Sequence, residues 1–155
     1  MSLIIQKKEE DFNMFDWWKR AFIDNYAKFD GRARRSEYWY FTLFNIIITV
    51  PLITLFVVLS DSGGTSEIVS LIFVALLGLI VLALFIPSIA VAVRRLHDTG
   101  RSGWWYIIGM IPVVSYVGSI VLLVFYCTDS QPGRNKWGPN PKKPEHNEID
   151  QIGTE

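Results

Sequence analysis

Three apolar runs, at 38–59, 68–93 and 104–127, dominate the chain, and short polar stretches separate them. About 20 residues of helix cross the hydrocarbon core of a bilayer, so each run is long enough to span one. The predicted fold class is all-α and integral to a membrane. Ahead of the first run, Phe15, Trp18, Phe22, Tyr26 and Phe29 recur at spacings of three and four, which predicts an amphipathic N-terminal helix over about 11–28. The acid-before-base pairs Asp16/Arg20 and Asp24/Lys28 support it. Its aromatic stripe suits either the membrane interface or the flank of the protein's own spans.

The stretch 30–37 turns the chain into the bilayer, with Gly31 in the turn, Ser36 as N-cap and Glu37 in the electropositive first turn. Pro51 in span one and Pro87 in span two mark kinks. Asn45 calls for a polar partner on a neighbouring helix. The loop at 60–67 holds two acids and no Lys or Arg. Between spans two and three, the stretch 94–105 reads as a basic, glycine-punctuated turn. Residues 128–155 carry Pro, Gly, Asn and Lys without periodicity, which predicts an ordered turn cluster over 132–141 and a disordered tail over 142–155.

Charge distribution gives the orientation. Eight of the fifteen Lys and Arg precede span one, three lie at 94–101 and four follow span three. Cytoplasmic segments carry the excess of Lys and Arg, so three spans with the N-terminus inside place eleven of the fifteen in the cytoplasm. The four in the tail dissent. A rival arrangement, in which 104–127 is a re-entrant hairpin breaking at Pro112, returns the tail to the cytoplasm but needs protein cover for its broken backbone. The N-terminal run is too short for a signal peptide, so the first span of a multi-pass protein is expected to direct insertion itself.

Composition narrows the chemistry. Six Trp among 155 residues, with charged residues at 19%, suit a membrane protein. A net charge of zero points to no nucleic-acid partner. One cysteine and two histidines cannot assemble a convincing zinc site, and no nucleophile elbow, phosphate loop or dinucleotide fingerprint occurs. Neither an enzyme nor a cofactor is expected, and His97 and Asp98 read as turn residues, with Gly100, that tie down nearby arginines. The strongest signal is basic: Arg32, Arg34, Arg35, Arg94, Arg95 and Arg101 converge on one membrane face, beside the interfacial aromatics Trp18, Trp39, Trp104 and Trp105. Such residues fix topology; they also suit anionic lipid headgroups or a partner protein. A small oligomeric transporter or channel component is the second reading, with homo-oligomers hinted at by the small-residue pairs Ser88/Ala92 and Ser115/Ser119.

Three blocks carry a family resemblance: Phe29-Asp30-Gly31-Arg32-Ala33-Arg34-Arg35-Ser36-Glu37-Tyr38-Trp39; Pro87 leading into Arg94-Arg95-Leu96-His97-Asp98-Thr99-Gly100-Arg101-Ser102-Gly103-Trp104-Trp105; and Pro132-Gly133-Arg134-Asn135-Lys136-Trp137-Gly138-Pro139. In order and spacing the chain resembles the domain of unknown function 805 family, small bacterial inner-membrane proteins, with Trp137 where an aromatic such as Tyr is usual. The resemblance covers about 14–141, leaves 1–13 as a polar extension, and implies location and architecture without a reaction.

Overall fold

A computed structural model of the chain describes residues 12–61 and 66–142. Helix α1 (Met14–Lys19) opens with a capping box, in which the Asn13 side chain accepts from the Asp16 N–H and Asp16 returns the bond to the Asn13 N–H. It runs into a π-helical turn, Arg20–Asp24, and stops because the backbone N–H and side chain of Asn25 both donate to the Arg20 carbonyl. The helix expected to about residue 28 is therefore shorter, and its expected start at Asp11 lies outside the described residues. Its stripe packs on the protein: Phe15 and Trp18 meet Phe44, Trp18 stacks on Phe22, and Trp18 Nε1 donates to Asn45 Oδ1 at 3.0 Å. Asn45 thus finds its polar partner on α1.

Two long helices follow, α2 (Arg35–Asp61) and α3 (Glu67–Asp98). At 1.5 Å per residue they are about 40 and 48 Å long, enough to cross a bilayer. Their apolar side chains face outward; Ile53, Val57, Leu71, Leu79 and Leu82 are all exposed. A helix that is apolar on its outer faces suits lipid and would be a liability in water. The first intrahelical bond of α2 runs from the Tyr38 N–H to the Arg34 carbonyl, so Arg34 takes the N-cap position and Ser36, expected there, lies inside the first turn. Both helices continue through their prolines. Pro87 has no N–H for the Ala83 carbonyl, and Tyr26 Oη fills that role by donating to it at 3.0 Å.

Helix α3 extends five residues beyond the apolar run, so Arg94, Arg95, His97 and Asp98 are helical rather than part of a turn. The turn begins at Thr99. The Gly100 N–H donates to the His97 carbonyl and the Arg101 N–H to the Leu96 carbonyl, a Schellman motif with Gly100 at φ +78°.

The third apolar run departs most from expectation. It is a 3₁₀ segment, Gly103–Gly109, and a short helix α4 (Val114–Cys127), rather than one helix. Between them Val113 sits at φ +71°, and the Val114 N–H donates to the Pro112 carbonyl at 2.9 Å, a γ-turn. The chain doubles back there: a Cβ on Gly118 would lie 2.5 Å from Ile108 Cγ2 and 2.9 Å from the Ile108 carbonyl oxygen. At 14 residues α4 is about 21 Å long, short of a roughly 30 Å hydrocarbon core. The break at Pro112 is that of the rival hairpin arrangement. Residues 128–142 then fold as turns, with an Asn135–Gly138 bridge, against the C-terminal end of α3, where the Gln131 N–H donates to the Asp98 carbonyl. Residues 143–155, expected to be disordered, lie outside the described residues.

Candidate functional site

The N-terminus of α2, the C-terminus of α3 and the segment after α4 meet at one end of the molecule, and a buried charge network joins them. Asp98, wholly buried, is its centre. Oδ1 accepts from Arg32 Nε at 2.9 Å, while Oδ2 accepts from Arg95 Nη1 and, at 2.6 Å, from Ser130 Oγ. Arg32 is saturated by carbonyls as well: Nη2 reaches Gln131 at 2.6 Å and Asp98 at 3.3 Å, and Nη1 reaches Gly133 at 2.9 Å and Gly138 at 3.4 Å. Arg95 donates through Nε to Tyr126, through Nη2 to Thr128 and through Nη1 to Ala33. Burial pulls the Arg95 guanidinium below its ordinary pKa, against the Asp98 carboxylate, which holds the proton on.

A second buried pair lies alongside. Arg94 Nη1 donates to Glu37 Oε1 at 2.6 Å, with both side chains at least 96% buried, and Arg20 Nε approaches Glu37 Oε2 at 3.9 Å. The Arg94 carbonyl accepts from the Ala33 N–H, which locks the start of α2 to α3. Nε and Nη2 of Arg94 have no hydrogen-bond partner. Buried ion pairs cost desolvation and are weak evidence for net stability, but removal of one partner strands the other.

The six arginines singled out from the sequence do gather at this end, but they divide. Arg32, Arg94 and Arg95 turn inward and are engaged by carboxylates and carbonyls, so they offer no headgroup-binding surface. Arg34, Arg35 and Arg101 are the outer set. Arg34 lies over the Trp17 ring at 5.6 Å and Arg101 over Phe125 at 3.9 Å. Arg35, its side chain 42% exposed, bridges to Asp129 Oδ2 at 3.0 Å and to the Cys127 carbonyl. Lys142 and the Ser130 N–H hold the exposed Asp129 carboxyl down at about 2.

The aromatics divide too. Trp39, Trp104 and Trp105 are exposed near this end, whereas Trp18 is packed into the α1–α2 contact. Trp17, which the stripe passed over, is the buried member of that pair. His97 stacks on Trp137 with ring centroids 4.4 Å apart, and its Nδ1 lies 3.3 Å from the Gly31 carbonyl, where Gly31 takes φ +91°. Burial lowers the His97 pKa, partly offset by that carbonyl. Asn135 Nδ2 donates to the His97 carbonyl and secures the turn cluster to α3. Sequence reasoning placed Glu37 only in a helix dipole and gave Ser130 and Asp129 no role; nothing local marks a partner 57 or 32 residues away. No group of three His, Cys, Asp or Glu side chains gathers among the described residues.

These features define an all-helical protein with two helices long and apolar enough to cross a bilayer and an arginine–carboxylate clasp at one end. The chain belongs to the family described as "Protein of unknown function (DUF805)", which matches residues 26–139. It is 41% identical over 125 residues to "Inner membrane protein YhaI" of Escherichia coli (strain K12), covering 81% of this chain and 95% of the relative. It is 42% identical over 128 residues to "Inner membrane protein YhaH" of the same organism, covering 82% and 97%. No solved structure matches the chain.

Proposed function

We propose that this is a multi-pass protein of the bacterial inner membrane, with α2 and α3 crossing the bilayer, the 103–127 hairpin re-entering it, and both flanking segments cytoplasmic. One observation carries the reading: no Lys or Arg lies between Arg35 and Arg94, while the basic segments on either side converge at one end of the helices. Cytoplasmic segments hold the excess of Lys and Arg, and a hairpin satisfies that rule for every basic residue, including the four in the tail that three spans would leave outside. The inner-membrane names of the relatives support the location.

At the cytoplasmic end, Arg34, Arg35 and Arg101, beside Trp39, Trp104 and Trp105, bind the phosphates of anionic headgroups. Each arginine near an anionic leaflet contributes on the order of 1 kcal/mol, so the three together favour anionic lipid about a hundredfold. Native mass spectrometry of the protein titrated with phosphatidylglycerol and phosphatidylcholine tests this. Preferential retention of phosphatidylglycerol that disappears in the triple variant Arg34→Gln/Arg35→Gln/Arg101→Gln supports the reading. Equal retention of both lipids by the unmodified protein, or co-purification of a protein partner on the same arginines, contradicts it.

A further inference from the structure

A stripe of hydrogen-bonding side chains runs down α2 inside its apolar sequence: Tyr38, Thr42, Asn45 and Thr49 occupy successive turns of one face. With Ser88 of α3 and Tyr106 of the hairpin they line a crevice of about 250 Å³ between the two long helices. Polar side chains inside membrane helices ordinarily hydrogen-bond across to a neighbouring helix. These do not bridge α2 to α3. Thr42, Thr49 and Ser88 each donate to a carbonyl of their own helix, those of Tyr38, Asn45 and Leu84, at 2.6–2.9 Å. Asn45 alone reaches another helix, through its oxygen and Trp18 of α1, so association of α2 with α3 does not explain the stripe.

Asn45 is the group that points to a ligand. The Trp18 indole is a donor only, so its bond to Asn45 fixes the amide oxygen toward α1 and leaves the Nδ2 hydrogens as the donors of a side chain that lines the crevice. No ionisable Asp, Glu, Lys, Arg or His lines the space, which excludes a charged headgroup. Asn45 also lies about 10 Å deeper along α2 than Tyr38, below the aromatic belt. A second chamber of about 320 Å³ shares Tyr38 and Tyr106 and is otherwise walled largely by apolar groups, including Met110, Leu122 and Leu123. The second chamber by itself reaches the lower end of the size range of small-molecule sites, and Tyr38 and Tyr106 set it side by side with the more polar crevice.

We infer that the crevice binds an uncharged, lipid-soluble carbonyl compound, with its carbonyl oxygen on Asn45 Nδ2 and its apolar carrier in the chamber beside α4. This rests on α2 and α3 spanning the bilayer but not on headgroup binding by the outer arginines. A prenylated quinone and a diacylglycerol both present such a carbonyl, and a prenyl hydrocarbon of matched length lacks it.

The test uses the full chain in phosphatidylcholine nanodiscs, titrated separately with a short-chain prenylated benzoquinone, with diacylglycerol and with the hydrocarbon. Binding is read by native mass spectrometry and by tryptophan quenching. One of the two carbonyl probes is expected at one copy per protein, with about tenfold weaker binding in Asn45→Leu, where the carbonyl loses its donor, and no binding of the hydrocarbon. Thr49→Val, which changes the same wall without touching the Trp18 bond, guards against a folding artefact and is expected to weaken the same probe while the melting temperature holds. The triple arginine variant is expected to bind the probe normally, which separates this site from the cytoplasmic face. Equal binding of the hydrocarbon, or binding by Asn45→Leu equal to that of the unmodified chain for both carbonyl probes, overturns the inference.

Discussion

Replacement of Asp98 by Asn isolates the clasp. The substitution keeps shape and removes the charge that Arg32 and Arg95 share, both guanidiniums being buried, at 1% and 0% side-chain exposure. The Asn amide also presents a donor where one carboxylate oxygen accepted, so either Arg32 Nε, or Arg95 Nη1 together with the Ser130 hydroxyl, loses its acceptor. Breaking a buried pair from one side costs about 3–5 kcal/mol, because the stranded charge cannot be resolvated. For a chain of this size about 1 kcal/mol moves the melting temperature by roughly 2–4 °C, so a fall of about 6–20 °C is expected for the protein in mild detergent. The same variant should become sensitive to proteolysis over 128–142, since Asp98 and Arg32 hold that segment through Ser130, Gln131, Gly133 and Gly138. Adding Arg32→Gln to Asp98→Asn should cost less than the sum of the two single changes. A melting temperature within about 3 °C of the unmodified protein, with the 128–142 segment still protected, would refute the claim that this network holds the three segments together.

Four further outcomes are expected. Gly118→Ala should destabilise by about 1–3 kcal/mol, because its Cβ meets the Ile108 backbone, whereas Val113→Gly should stabilise by about 1 kcal/mol by relieving a β-branched residue at positive φ; thermal melts of both check the hairpin. His97 is held below its ordinary 6.5, so the unfolded chain takes the proton more readily; stability is complete above about pH 6.5 and declines as pH falls below it, and His97→Gln should flatten that slope in melts between pH 7.5 and 5.5. Tyr26→Phe removes the donor to the Ala83 carbonyl that Pro87 leaves open, and should lower stability by about 1–3 kcal/mol, read from the same melts.

The two long helices were legible because an uncharged run of more than 20 residues is long enough to cross a bilayer as a helix, whereas the end of α3 was not: 94–98 reads as turn, yet the helix runs on to Asp98 before the Schellman turn at Gly100. The third run was misread as one helix for a physical reason. Hydropathy and length measure cost in lipid, and a hairpin of apolar residues scores like a span. Gly109, Pro112 and Gly118 were visible as interruptions, but it takes contacts across the turn, such as Gly118 with Ile108 and Trp105 with Phe125, to show that the chain turns back on itself. The arginines illustrate a second limit. Position along the sequence placed all six at one end, yet whether an arginine faces lipid or a carboxylate depends on Asp98 and Glu37, whose pairing with Arg32 and Arg94 joins segments more than fifty residues apart. Periodicity likewise chose Trp18 for the aromatic stripe, while its neighbour Trp17 is the one that burial selects.

The arrangement of the hairpin is tested most directly by paired reporter fusions after residue 142 and within the 61–66 loop. A fluorescent protein active only in the cytoplasm and a phosphatase active only in the periplasm should give a fluorescent, phosphatase-negative fusion after 142 and a phosphatase-positive fusion in the loop. Phosphatase activity from the fusion after 142, with fluorescence lost, would place the segment after α4 across the membrane from Arg32 and contradict the account.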